Sequence, residues 1–171
     1  MKRINFCPRC GHALEDQLRF GKTQQTCPAC DYIYFANPRV AVALFIEQGD
    51  RILLVKRGVD PKRGKWALVA GFVDYGEAPE EAAIREAGEE TGLEVTIDRL
   101  MDVSYDADNS TIVIMYAAKI VGGTLIAADD VDEVAWFGVD NLPELAFEST
   151  QRLVSAWIAR QRGSPAQESR S

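Results

Sequence analysis

No apolar run in this sequence approaches the roughly 20 residues needed to cross a bilayer, and the opening residues, MKRINFCPRC, lack the hydrophobic core of a secretion signal. No membrane contact is expected, and the cytoplasm is the expected location. Positive charge is scarce as well. The formal net charge of -7 disfavours non-specific attraction to nucleic acid or to an anionic membrane, since both need a basic surface. Histidine occurs once, as His12, and cysteine nowhere after Cys30. Internal repeats and low-complexity tracts are absent.

What remains is the composition of a folding protein: 47% apolar and 26% charged residues in a chain of 171, enough for one domain with a core and a small appendage. The charge is unevenly spread. Residues 1–38 hold five Lys/Arg against three Asp/Glu, and the rest of the chain holds 14 against 23. All four cysteines fall in that first segment, which therefore reads as a separate module, 1–36. Asn37-Pro38 closes it, because proline holds the preceding residue extended.

Cys7-x2-Cys10 and Cys27-x2-Cys30 have the spacing of a four-thiolate Zn²⁺ site, with sulfurs about 2.3 Å from a tetrahedral ion. A segment this short cannot bury enough apolar surface to fold unaided, so a metal clip is physically motivated. Four thiolates leave no open position on zinc, which makes the site structural. Two disulfides are the alternative, disfavoured without a secretion signal. His12 is a bystander in this reading. Ribbons of this kind contact nucleic acid or protein elsewhere, but the charge of the zinc-loaded module is near neutral, which weakens the nucleic-acid case.

From residue 37 the pattern turns strand-like. RVAVALFIE (39–47) and RILLVKRG (51–58), joined by QGD, form a predicted hairpin, and WALVAGFV (66–73) a third strand. EVTIDRLMDVSY, STIVIMYAAKIV and EVAWFGV follow as three more. Two helices are expected. One spans about 78–90, with Ala83, Ile84 and Ala87 turned to the core and Gly92 as its stop. The other spans about 149–161, with Ser149 as N-cap and an apolar stripe of Leu153, Val154, Trp157 and Ile158. The domain is placed at 37–161, and residues 162–171 read as a disordered tail.

The stretch from Gly71 to Leu93 concentrates seven carboxylates against one arginine. Helical spacing puts Glu86, Glu89 and Glu90 on one side, where like charges at i,i+4 repel unless a cation intervenes. A hard divalent ion, shared between carboxylates and substrate phosphates, resolves the conflict. The helix alone leaves a solvated acidic face equally open.

The whole pattern, Gly71-x5-Glu77-x7-Arg85-Glu86-Ala87-x-Glu89-Glu90-x-Gly92-Leu93, resembles the Nudix box over its full length. The order of zinc ribbon, extended NPR entry and box is similar to Nudix hydrolases of the NADH pyrophosphatase group and its ADP-ribose and FAD pyrophosphatase relatives. The resemblance implies an α/β/α sandwich around a mixed sheet, behind a small zinc ribbon. It implies cleavage of a diphosphate linked to a nucleoside, with Glu86, Glu89, Glu90 and the Gly71 carbonyl on Mg²⁺ or Mn²⁺. Glu77 and Arg85 would pair to hold the loop against the helix, and Glu89 or Glu90 would orient the attacking water.

Ala87 departs from the family, which carries a larger aliphatic there, and is expected to loosen local packing. The acidic run 129–133 offers Asp130 and Glu133 as a further acid. Arg39 and Arg57 are candidates to meet phosphate, and Tyr34, Phe35, Trp66 and Phe147 to stack on a base. The serine-glutamine-proline-tryptophan motif of NADH enzymes is missing, the region here being MDVSYDADNS, which demotes NADH; the proline that often marks ADP-ribose enzymes is missing too, but the end of the domain, LPELAFESTQ, resembles the zinc-ribbon branch that includes FAD and ADP-ribose hydrolases, so these two lead. The expected partner is a small nucleotide, and a homodimer stays open. The alternative to an enzyme is a nucleotide-sensing regulator, or a nucleic-acid or protein-binding module working through the ribbon.

Overall fold

A computed structural model of the chain describes residues 3–107 and 109–163. It divides into two compact units, Met1–Pro38 and Arg39–Ser171. In the first, strands β1 (Glu15–Arg19), β2 (Lys22–Thr26) and β3 (Ile33–Tyr34) form an antiparallel sheet in the order β1-β2-β3. These short strands carry little apolar alternation, and the sequence pattern did not reveal them.

The second unit holds β4 (Arg39–Gln48), β5 (Arg51–Arg57), β6 (Trp66–Ala67), β7 (Val69–Phe72), α1 (Pro79–Thr91), β8 (Leu93–Asp106), β9 (Thr111–Gly123), β10 (Val131–Gly138) and α2 (Glu148–Gly163). The sheet order is β10-β5-β4-β9-β8, with β6 added to β5 and β7 to β4; β4 and β9 run parallel and the other pairs antiparallel. The sheet is mixed, as expected.

Strands β4 and β5 read as continuous apolar runs because helices cover both faces of the sheet. Val42, Leu44, Ile46, Leu53 and Val55 pack on one face with Ala82, Ala83 and Ala87 of α1. Their neighbours Ala43, Phe45, Ile52 and Leu54 pack on the other with Val154 and Trp157 of α2. The period-2 alternation of a strand thus feeds two cores.

The predicted hairpin forms, but only its tip pairs, at Glu47↔Ile52 and Gln48↔Arg51. Further along the strands part, and residues 66–72 enter between them as two short strands rather than one, β6 on β5 and β7 on β4. That splay creates the hollow described below.

Three local expectations need correction. Ile84 does not face the core and is 42% exposed; the buried face of α1 is made of Ala82, Ala83 and Ala87, small residues that let the helix lie close to the sheet. Ser149 is not the N-cap of α2, because the helix already begins at Glu148. The helix also runs to Gly163, so residues 162 and 163 of the expected tail are helical, and the remainder of that tail lies outside the described residues. Ala87 is fully buried in the core under α1.

Candidate functional site

Helix α1 carries the acidic stretch, and its ends are closely specified. Pro79 occupies the first turn, where its missing N–H costs nothing. The Ala78 N–H donates to the Glu81 carboxylate (3.1 Å). At the other end Gly92 turns left-handed (φ 67°) and its N–H returns to the Gly88 carbonyl (2.9 Å). The last carbonyls of α1 accept from a strap: Ala128 N–H to Glu90, Ile126 to Thr91 and Thr124 to Gly92. The strap delivers Asp129 and Asp130 to the helix, and the Gly58 N–H holds the Asp130 carbonyl (2.8 Å). A Cβ at position 58 would meet that carbonyl at 2.6 Å.

Arg85 organises the outer side of the site. Its Nε and Nη2 donate to the two Glu77 oxygens (2.9 and 3.0 Å), Nη1 to Glu86 (2.8 Å) and Glu89 (2.9 Å), and Nη2 to the Phe72 carbonyl (3.0 Å). Glu77 also accepts from the Asp74 N–H (3.1 Å). The Arg85 hydrogen bonds, with that N–H, hold the Glu77 carboxyl below the usual range. The loop 73–78 is therefore tied to the helix by a fork-to-fork ion pair.

Glu86 and Glu90 are buried, whereas Glu89 is exposed. Burial pushes the Glu90 carboxyl up to about 8, with the Glu86 and Asp130 carboxylates adding to it and the Ala70 N–H (3.1 Å) and Arg57 opposing. Burial also raises Glu86, with Glu89 and Asp129 adding and Arg85 opposing. Two neighbouring carboxylates that resist ionisation are poised to accept a cation, which removes both penalties at once. Gly71 makes the arrangement sterically feasible, since a Cβ there would lie 1.9 Å from the Glu86 carboxylate. The three glutamates do not meet at one point as the spacing implied. Among the described residues, only the four cysteines bring three or more ligand atoms within 4.8 Å of one another; Arg85 Nη1 engages Glu86 and Glu89, while Glu90 accepts from the Ala70 N–H of β7. The donor set, hard carboxylate oxygens, suits Mg²⁺ or Mn²⁺ rather than a soft ion.

On the α2 face of the sheet a cavity of about 310 Å³ opens beside these groups. Its floor is Ala41, Ala43, Ala67, Ala70 and Leu68, and Gly71 joins it to the acidic helix. Arg39 lies over the Phe72 ring (4.2 Å) and Arg57 over the Phe147 ring (5.2 Å) on its walls, and Asp130 reaches it as well. A small apolar floor between two arginine–aromatic pairs fits a planar heterocycle.

Of the residues singled out from the sequence, Gly71, Arg39, Arg57, Phe147 and Asp130 line this cavity. Glu133 does not; it sits on β10 and pairs with Lys56 (3.5 Å). Trp66 packs edge-on against Phe137 in the core, and Tyr34 and Phe35 belong to the first unit. Sequence reasoning passed over Phe72, Asp129 and Gly58. Phe72 read as an ordinary strand residue, and its 44% exposure follows from the splay of β4 and β5; Asp129 lay inside the acidic run already noted.

In the first unit, Cys7 Sγ and Cys30 Sγ are 3.7 Å apart and Cys10 Sγ and Cys27 Sγ 3.4 Å. Sulfurs at the corners of a tetrahedral zinc site would be about 3.8 Å apart for 2.3 Å bonds. Against burial, the N–H groups of Arg9 and Cys10 bring the Cys7 thiol down to about 7. The cluster fits Zn²⁺. His12 Nδ1 lies 3.6 Å from Cys10 Sγ, the position of an outer hydrogen-bonding partner.

Residues 37–158 match the NUDIX domain. The chain is 41% identical over 121 residues to an ADP-ribose pyrophosphatase of Methanocaldococcus jannaschii, covering 68% of this chain and 72% of that protein. It is 27% identical over 165 residues to the NAD-capped RNA hydrolase NudC of Stutzerimonas stutzeri, covering 94% of this chain but only 58% of that longer protein. A NUDIX hydrolase from Nitrosomonas europaea superposes with a TM-score of 0.85 at 31% identity, covering 95% of this chain and 96% of that one.

Proposed function

The chain belongs to the NUDIX family and is a pyrophosphohydrolase, and from that premise we propose that it hydrolyses the diphosphate of a nucleoside diphosphate linked to a second moiety, using Mg²⁺ or Mn²⁺ and releasing a nucleoside monophosphate. ADP-ribose leads, FAD follows, and NADH ranks lower. The observation that carries this reading is the joining, through Gly71, of a heterocycle-sized cavity to a buried carboxylate pair. The likeness to the M. jannaschii pyrophosphatase supports ADP-ribose. The cytoplasm, where thiolates stay reduced, goes with it.

Glu86, Glu89, Glu90 and the Gly71 carbonyl would hold the divalent ion. When bound, it neutralises charge on the phosphates and lowers the pKa of a coordinated water. The protein's own groups do the rest. Phe72, backed by Arg39, and Phe147, backed by Arg57, hold the base, while the guanidinium groups steer the phosphates toward Gly71. Arg85 orients Glu86 and Glu89 and fixes the loop through Glu77. Glu89 or Glu90 would orient the attacking water, Glu90 being the more buried of the two. Asp129 and Asp130, held by the strap, extend the negative wall. The ribbon would carry structural Zn²⁺.

The test is a panel of ADP-ribose, FAD, NADH, CoA and nucleoside triphosphates, each with Mg²⁺ and with Mn²⁺. AMP release from ADP-ribose or FAD is expected; activity confined to triphosphates would leave the family intact and overturn the substrate assignment.

A further inference from the structure

Helix α2 begins without a side-chain cap. Phe147 precedes its first residue, Glu148, in the place where a serine, threonine, aspartate or asparagine would hold the first N–H groups. The first bond into the helix runs from the Gln151 N–H to the Phe147 carbonyl (3.0 Å), and the N–H groups of Glu148, Ser149 and Thr150 have no acceptor among the described residues. On a surface helix water would meet such donors. Here Phe147, Ser149 and Thr150 all line the cavity on the α2 face of the sheet.

The Thr150 side chain points the same way. Thr150 is only 4% exposed, yet its hydroxyl makes no hydrogen bond with any described residue; the buried Thr91 of α1, by contrast, donates to the Ala87 carbonyl one turn back (2.6 Å). Thr150 stands one turn before Val154, and these two with Trp157 form the buried face of α2, turned to the sheet. Val154 packs in the core with Ala43 and Met115, whereas Thr150 reaches the cavity that the same two residues help to line. Among the described residues the fully enclosed oxygens without a partner are those of Thr26 and Ser104, so the Thr150 hydroxyl opens to the cavity.

We propose that the first turn of α2 reads the edge of an adenine, a free N–H of Ser149 or Thr150 donating to ring nitrogen N1 and the Thr150 hydroxyl accepting from the 6-amino group beside it. The proposal rests on the cavity holding the nucleoside. A buried anion at this end would need a cation of its own, and Arg57, stacked on Phe147, already donates to the Pro61 carbonyl (2.8 Å). The neighbouring lining is apolar, with Ala43, Leu68 and Met115. A neutral heterocycle asks only for matched donors and acceptors on its edge. A 6-oxo purine matches less well, because its N1–H would face the helix N–H. Thr150 is thereby a specificity-determining residue for the half that ADP-ribose, FAD and NADH share.

The test uses the full-length protein and three probes: AMP, IMP and purine riboside 5′-monophosphate, which keeps N1 but lacks the 6-amino group. Binding is measured by calorimetry with Mg²⁺ present for the wild type, for T150V, which keeps the shape of the side chain without its hydroxyl, and for T150S, which keeps the hydroxyl. The wild type and T150S are expected to bind AMP about tenfold more tightly than purine riboside 5′-monophosphate, and T150V to bring that ratio to about one. A ratio near one in the wild type, a ratio unchanged in T150V, tighter binding of IMP than of AMP, or no binding of any probe would overturn the assignment. Hydrolysis of ADP-ribose and FAD is followed separately. The expected ratios without hydrolysis of either compound would instead refute the substrate reading above and leave the role of α2 standing.

Discussion

Gly71 and Gly88 lie in the same acidic stretch and answer to different constraints. At Gly71 the missing Cβ is occupied space, because the Glu86 carboxylate lies 1.9 Å from where that atom would be. Gly71→Ala should therefore push Glu86 aside and lower kcat/KM about a hundredfold, the usual cost of a 1 Å displacement at a reacting centre. A fold that remains intact by circular dichroism would locate the loss in the site. At Gly88 an added Cβ meets nothing within 4 Å. Gly88→Ala should stabilise the protein by about 1 kcal/mol and raise its melting temperature by about 2–4 °C. The helix has no use for that glycine, and nothing in the structure explains it.

At the scale of elements, α2 is locked to β4 by one carboxylate. Glu47 accepts from Trp157 Nε1 (3.0 Å), Arg160 (2.5 Å) and Gln161 (2.8 Å). Glu47→Ala leaves the indole N–H of a buried tryptophan unpaired and should cost about 1–3 kcal/mol, read as a lower urea midpoint with an unchanged slope. Both helices and most long strands were legible in the sequence, since periodicity alone distinguishes α1, α2, β8 and β9. The division of 66–72 into β6 and β7 was not. It arises from a non-local event, the parting of β4 and β5, which no window of sequence encodes. Ile84 misled for a related reason. A hydrophobic residue at helical spacing signals a core only if the helix turns that way, and here three alanines set the close approach. The glutamates were legible by type and spacing, but their partners were not: Arg85 divides them, and the strap that brings Asp129 and Asp130 meets α1 from more than 30 residues away in sequence.

For the whole molecule, the charge split along the chain coincides with the division into two units, which have different sources of stability. The second unit has two apolar cores, whereas the first exposes Phe6, Leu18 and Phe20 and buries little beyond Cys7, Gln25, Thr26 and Cys27. Its folding free energy should come from metal. Elemental analysis should find one zinc per chain, and Cys27→Ser should lose it, together with the dispersed amide resonances of residues 3–36.

We propose that the buried carboxylates of α1 make this chain a metal-dependent diphosphate hydrolase. The most direct measurement is AMP release from ADP-ribose by the wild type and by Glu90→Gln, with Mg²⁺ and after chelation. Turnover is expected to disappear with the metal and to fall about a hundredfold or more in the variant. Full turnover by Glu90→Gln in the presence of Mg²⁺ would rule out that role for the carboxylate.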